Sequence, residues 1–141
     1  LLAFYGNEKI WDILAENPRT RVVVFGEQPE MLRFPCSTQS YTDIEGSGGN
    51  FNLSSSPEAL ADFFTFAGVD YIYLGSGYLK PGTDGFRNVT GLLKQGYLMD
   101  LLYENGNGLA VFSSDPKNLT EEESEALLAE FTEKYWPGEQ Q

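Results

Sequence analysis

The stretch that most resembles a ligand-binding motif is GSGY, from Gly75 to Tyr78, which follows an apolar run. Glycines after a strand can cradle a phosphate, but a dinucleotide fingerprint needs G-x-G-x-x-G leading directly into a helix. Here the third glycine of that pattern is missing, and KPGTDG separates the turn from the next helical segment. The first apolar run offers one glycine, Gly26, followed by Glu27 and Glu30. The sequence therefore predicts ordinary turns and no nucleotide-binding loop.

The residue types that most enzymes use for proton transfer and nucleophilic attack are almost missing. The chain contains no histidine and a single cysteine, Cys36. Without histidine there is no Ser-His-Asp or Cys-His nucleophile system and no histidine-bearing zinc site. A single cysteine forms no internal disulfide and no thiolate cluster. We therefore expect no catalytic residue, no bound metal and no cofactor, and we expect Cys36 to be a small, partly buried side chain.

Length and composition predict one folded domain spanning residues 1–141. The hydrophobic content is 41%, which is enough for a packed core. The chain carries 21 acidic against 9 basic residues, a net charge of −12. Such a surface repels phosphate backbones and anionic headgroups, so no nucleic-acid partner and no direct lipid contact are expected. The acidic surface is interpreted as solubilising.

The first half of the chain alternates helical and strand patterns. Asn7 to Glu16 has helical apolar spacing and is followed by RVVVFG, a β-branched run typical of a strand covered on both faces. A weaker strand is predicted within CSTQSYTDI. Ser56 is predicted to cap a helix that Gly68 ends, with DYIYLG as the next strand.

The second half continues the alternation and ends in a hairpin and a helix. A helix is predicted from about Phe86 to Tyr97. LMDLLYE and LAVFSS flank NGNG, which predicts a β-hairpin because asparagine and glycine tolerate positive φ. A capping box at Thr120 starts the last helix. The side chains expected to be buried there are Leu127, Leu128, Phe131 and Tyr135.

This order of elements predicts an α/β fold. We expect a Rossmann-like layered sandwich, a mixed sheet with a parallel core and an antiparallel C-terminal hairpin, and helices packed on the sheet. Ligands of open α/β sheets bind beyond the carboxyl ends of the parallel strands. The candidate ligand-binding residues are therefore Glu27, Gln28, Ser76 and Tyr78, which suit a sugar better than a phosphate.

A longer succession of segments carries a family resemblance. The succession covers Trp11 to Ser113 and consists of WDILAENPRTRVVVFG, then SPEALADFFTFAGVDYIYLG, then a helix, and then YLMDLLYENGNGLAVFS. In its order of elements, this succession is similar to the C-terminal extracytoplasmic domains of polytopic bacterial glycosyltransferase-like membrane proteins, the protein O-mannosyltransferase and aminoarabinose transferase class. In that family the catalytic acids lie in membrane loops, so the resemblance assigns no catalytic residue to this chain. The acidic helix from Thr120 onward lies outside the pattern.

Two hypotheses follow from these observations. The first is a non-catalytic accessory domain on the extracytoplasmic face of the cell membrane. Its expected role is to position or recognise a glycan or protein acceptor, with the transmembrane part of its parent protein and a glycan or lipid-linked sugar as partners. The apolar opening LLAF without an initiator methionine agrees with a C-terminal fragment of such a protein. The second hypothesis is a free-standing Rossmann-like small-ligand-binding domain or carboxylate-based enzyme.

Overall fold

The computed structural model describes residues 8–26, 34–41 and 56–135. Within these ranges the chain forms four helices and five strands. The helices are α1 (Glu8–Glu16), α2 (Pro57–Ala67), α3 (Asp84–Lys94) and α4 (Glu121–Tyr135). The strands are β1 (Arg21–Phe25), β2 (Ser37–Ser40), β3 (Tyr71–Leu74), β4 (Leu98–Glu104) and β5 (Asn107–Phe112).

The five strands form one mixed sheet in the order β2-β1-β3-β5-β4. Strand β1 pairs in parallel with both β2 and β3, whereas β5 is antiparallel to β3 and to β4. The predicted parallel core and C-terminal antiparallel hairpin are therefore confirmed. The hairpin turn contains Asn105 at φ 52° and Gly106 at φ 82°, the positive dihedral angles that the NGNG motif predicts.

Helices cover both faces of the sheet, because the β-branched run in β1 has apolar side chains on each face. Val23 and Phe25 belong to a core cluster with side chains of α2, α3 and α4, while Val22 and Val24 pack with side chains of α1 on the opposite face. Val22, Val23, Val24 and Phe25 are each at most 1% exposed. This is the burial on both faces that a continuous apolar run in a parallel sheet predicts.

Helix ends follow the capping signals. The Ser56 side chain accepts a hydrogen bond from the Ala59 N–H at 3.1 Å, and Gly68 ends α2 at φ 70°. The Thr120 hydroxyl accepts from the Glu123 N–H at 3.1 Å, while the Glu123 carboxylate accepts from the Thr120 N–H at 2.9 Å. Both arrangements satisfy amide groups that have no partner within the helix.

Two details differ from the predictions. Helix α3 begins at Asp84 and ends at Lys94, because Thr83 caps its first turn and the chain turns at Gly96 before β4. In α4, Phe131 and Tyr135 are buried as predicted, but Leu127 and Leu128 are only partly buried against the core. None of the helices in the described residues is long and apolar enough to cross a membrane.

Candidate functional site

The carboxyl ends of three parallel strands lie side by side at one edge of the sheet. The residues that follow β1, β2 and β3 there are Gly26, Tyr41 and Gly75. The chain leaves β1 towards β2 on one side, while β3 lies on the other side of β1. Open α/β sheets bind ligands at such a divergence of strand connections. A ligand-binding site is therefore expected at this edge.

The turn after β3 is built to lie close to the end of β1. The Gly75 N–H donates to the Phe25 carbonyl oxygen at 2.8 Å. A Cβ atom at Gly75 would lie only 3.1 Å from that same oxygen, so a glycine here lets the two strand ends approach. Gly77 has φ 75°, and α3 begins only at Asp84. This geometry agrees with the predicted ordinary turn, because the chain does not pass directly from strand into helix.

Two distant side chains also hold this turn. The Ser76 N–H donates to the Asn107 side-chain oxygen of β5 at 2.8 Å. The Tyr135 hydroxyl of α4 donates to the Gly75 carbonyl and accepts from the Leu79 N–H at 3.3 Å. Burial raises the pKa of Tyr135 to about 12, so its hydroxyl is protonated and can donate at neutral pH.

A pocket of about 280 Å³ lies beside the turn. Its lining residues are Tyr41, Tyr78, Leu79, Thr83 and Gly85. Tyr41 and Leu79 are each 1% exposed, so the accessible part of this lining consists of the Tyr78 and Thr83 side chains and backbone polar groups. Among the described residues, the lining includes no carboxylate and no cation. Such a lining suits a neutral, polyhydroxylated ligand better than a phosphate or an acid–base reaction.

The back wall of the pocket is closely packed. The buried Tyr41 ring stacks on Phe25 with centroids 4.3 Å apart, and its hydroxyl accepts from the Asn88 side-chain amide at 3.1 Å. A Cβ atom at Gly85 would lie 3.3 Å from the Tyr41 ring, so the glycine allows the first turn of α3 to approach that ring. The Thr83 hydroxyl accepts from the Phe86 N–H at 3.3 Å and caps the helix there.

The predicted site residues have different outcomes. Ser76 is exposed and Tyr78 is partly buried, and both lie on the turn beside the pocket. Glu27 and Gln28 lie outside the described residues. The sequence-based prediction missed Tyr41 and Thr83. The signals that could have found them are the position of Tyr41 at the end of the weaker strand and the N-cap position of Thr83.

The Cys36 thiol and the carboxylates are the other groups that could react with or ligate a partner. Burial raises the pKa of the partly buried Cys36 thiol, although a hydrogen bond with Thr20 opposes that effect, and a protonated thiol is a poor nucleophile. In residues 8–26, 34–41 and 56–135, no three cysteine, aspartate or glutamate side chains are grouped so that they could hold a metal ion. The acidic segment around Asp43 and Glu45 lies outside those ranges.

No protein-family profile, curated protein sequence or solved structure matches this chain.

Proposed function

We propose that this chain is a non-catalytic accessory domain that recognises a neutral glycan at the carboxyl edge of β1 and β3. The observation that carries this proposal is the pocket beside the turn, with the partly exposed Tyr78 ring at its rim and the buried Tyr41 ring behind it. The Tyr78 ring offers flat apolar surface for the C–H face of a sugar ring, and a phenolic hydroxyl can act as donor and as acceptor.

Charge supports a neutral ligand. The net charge of −12 disfavours phosphate, nucleic acid and other polyanions across the whole surface. Among the described residues, the lining of the pocket contains no cation that would locally oppose this field. A neutral sugar has no charge to be repelled, so its binding depends only on shape, ring contacts and hydrogen bonds.

A purely binding role agrees with the titration behaviour of the groups near the turn. A general acid or base works best with a pKa near the operating pH. The hydroxyl closest to the turn backbone, that of Tyr135, has its pKa raised to about 12 by burial, which moves it further from neutrality. The chain as a whole contains no histidine that could take that role.

Replacing Tyr78 by alanine is expected to weaken the binding of a mannose trisaccharide by about tenfold, because one ring contact is lost. Isothermal titration calorimetry measures this change. Tyr71→Ala is the matched control, since Tyr71 is also partly buried but lies at the amino end of β3, away from the pocket. Equal loss of affinity in both variants, or binding of inorganic phosphate in place of the sugar, would refute the site.

The cellular setting is part of the same proposal and is supported by the family resemblance. The domain would lie on the extracytoplasmic face of a bacterial membrane, attached to the transmembrane part of a glycosyltransferase-like protein that supplies the catalysis. Its glycan would then belong to the acceptor or to a lipid-linked sugar.

The coding sequence upstream of Leu1 tests this setting. We expect several runs of about 20 apolar residues, the length that spans a bilayer. The loops between them that carry excess lysine and arginine mark the cytoplasmic side, and this domain should follow on the opposite side. A methionine start immediately before Leu1, or only a cleavable signal peptide, would contradict the membrane setting. A free-standing ligand-binding domain or carboxylate-based enzyme would then be the better hypothesis.

A further inference from the structure

The hydroxyl of Tyr135 joins the two ends of the turn that carries Tyr78. It donates to the carbonyl of Gly75, where the turn begins, and accepts from the N–H of Leu79, where the turn ends. Tyr135 is 2% exposed and Leu79 is 1% exposed, so water cannot easily replace this hydroxyl at the Leu79 amide. Because a buried amide without a hydrogen-bond partner destabilises the folded state, this contact stabilises the turn.

The position of the hydroxyl is set by the packing of α4. The Tyr135 ring stacks on Phe131 with centroids 5.0 Å apart, and the Phe131 ring lies 6.3 Å from Phe86 of α3. At the other end of the two helices, the Ser124 hydroxyl donates to the Lys94 carbonyl at 2.9 Å. Helix α4 is therefore held against α3 at both ends, and its last turn presents the hydroxyl to the turn after β3.

Three further hydrogen bonds hold this turn. Gly75 donates to Phe25, and Ser76 donates to Asn107. The third bond joins the two halves, because the Tyr78 N–H donates to the Gly75 carbonyl at 3.2 Å, and Tyr78 also packs against the core. Loss of the Tyr135 hydroxyl would leave the buried Leu79 amide without this acceptor and the Gly75 carbonyl with one donor fewer, which would loosen the end of the turn next to the Tyr78 ring.

We propose that Tyr135 is a positioning residue that holds Tyr78 in its ligand-binding place, so that the C-terminal helix completes the site from a distance. This inference rests on the proposed function, because it concerns the same pocket. In this proposal, helix α4, which lies outside the family resemblance, fixes the rim of the pocket through one hydroxyl group.

The test compares Tyr135→Phe with Tyr103→Phe. Both variants lose one buried tyrosine hydroxyl, but the Tyr103 hydroxyl has no hydrogen-bond partner within the described residues. Amide hydrogen exchange by NMR and calorimetry with the mannose trisaccharide are measured on both. In Tyr135→Phe we expect the Leu79 amide to exchange about tenfold faster or more, while amides in β1 and β3 change little, and the sugar to bind several-fold more weakly. Tyr103→Phe should leave both measurements unchanged.

The possible outcomes distinguish a positioning role of Tyr135 from a general structural role. Uniformly faster exchange throughout the sheet in Tyr135→Phe would mean a general structural role and would overturn the positioning role. Unchanged Leu79 exchange together with unchanged sugar affinity would overturn it as well, while leaving the proposed function intact. Absence of sugar binding by the unaltered chain would overturn the proposed function and the ligand-related half of this inference. The Leu79 exchange rate would still decide whether Tyr135 holds the turn.

Discussion

Replacing Phe131 by alanine is expected to lower the free energy of unfolding by about 3–5 kcal/mol. The Phe131 side chain is 1% exposed and lies between the ring of Tyr135 and the ring of Phe86. Removing it leaves a cavity between α3 and α4 that close-packed neighbours can fill only in part. Urea denaturation followed by circular dichroism measures the loss as a lower midpoint with an unchanged slope.

Phe66→Ala is the matched control for this prediction. The Phe66 side chain, in α2, is 90% exposed, so the same chemical change there should alter the stability by no more than about 0.5 kcal/mol. If the Phe131 variant unfolded at the same urea concentration as the unaltered protein, α4 would not be packed on the sheet as described.

Replacing Gly96 by alanine is expected to cost about 3 kcal/mol or more, for two separate reasons. Gly96 has φ 86°, a conformation that strains any residue with a Cβ atom. In addition, the new Cβ atom would lie 1.9 Å from the carbonyl oxygen of Lys117, so the backbone leading to α4 would have to move. Denaturant unfolding of the variant measures the sum of these two effects.

Gly77→Ala separates the two effects. Gly77 has φ 75°, but a Cβ atom there would find no heavy atom within 4 Å. Only backbone strain is then expected, about 1–2 kcal/mol. Equal losses of stability in the two variants would show that the close approach of Lys117 to Gly96 does not contribute.

Much of the fold could be predicted from local signals, because each signal has a direct physical cause. The β-branched run from Arg21 to Phe25 suits only an extended segment buried on both faces, and NGNG favours a hairpin through its tolerance of positive φ. Ser56 and Thr120 mark helix starts because their hydroxyl groups accept from otherwise unpaired amides. These elements were therefore predicted with nearly correct bounds.

Features that depend on tertiary packing were predicted less well. The helical spacing of α4 correctly placed its apolar stripe, but it could not show that Leu127 and Leu128 would be at the margin of the core. The start of α3 was predicted at about Phe86, two residues after its actual start at Asp84, because the glycines and proline in KPGTDG obscured the capping signal of Thr83. The first difference arises where the neighbouring elements decide burial, and the second where a local cap lies among turn residues.

The candidate site shows the same limit. Ser76 and Tyr78 could be proposed from the rule that ligands bind beyond the carboxyl ends of parallel strands. The same rule would have indicated Tyr41, at the end of the weaker strand, once that strand was placed beside β1. Tyr135 could not be proposed, because its place beside the turn depends on where the last helix packs. Side chains so far apart in the chain can be brought together in many ways, and periodicity alone does not distinguish among them.

Mapping of amide chemical shifts by NMR, with the mannose trisaccharide added to the unaltered chain, tests the proposed site most directly. The account predicts shifts that saturate with sugar concentration and are concentrated in residues 75–79 and 83–85, around the pocket of Tyr41 and Tyr78. It also predicts that inorganic phosphate leaves these amides unchanged. Saturable shifts confined to another surface, or no saturable shifts at all, would contradict it.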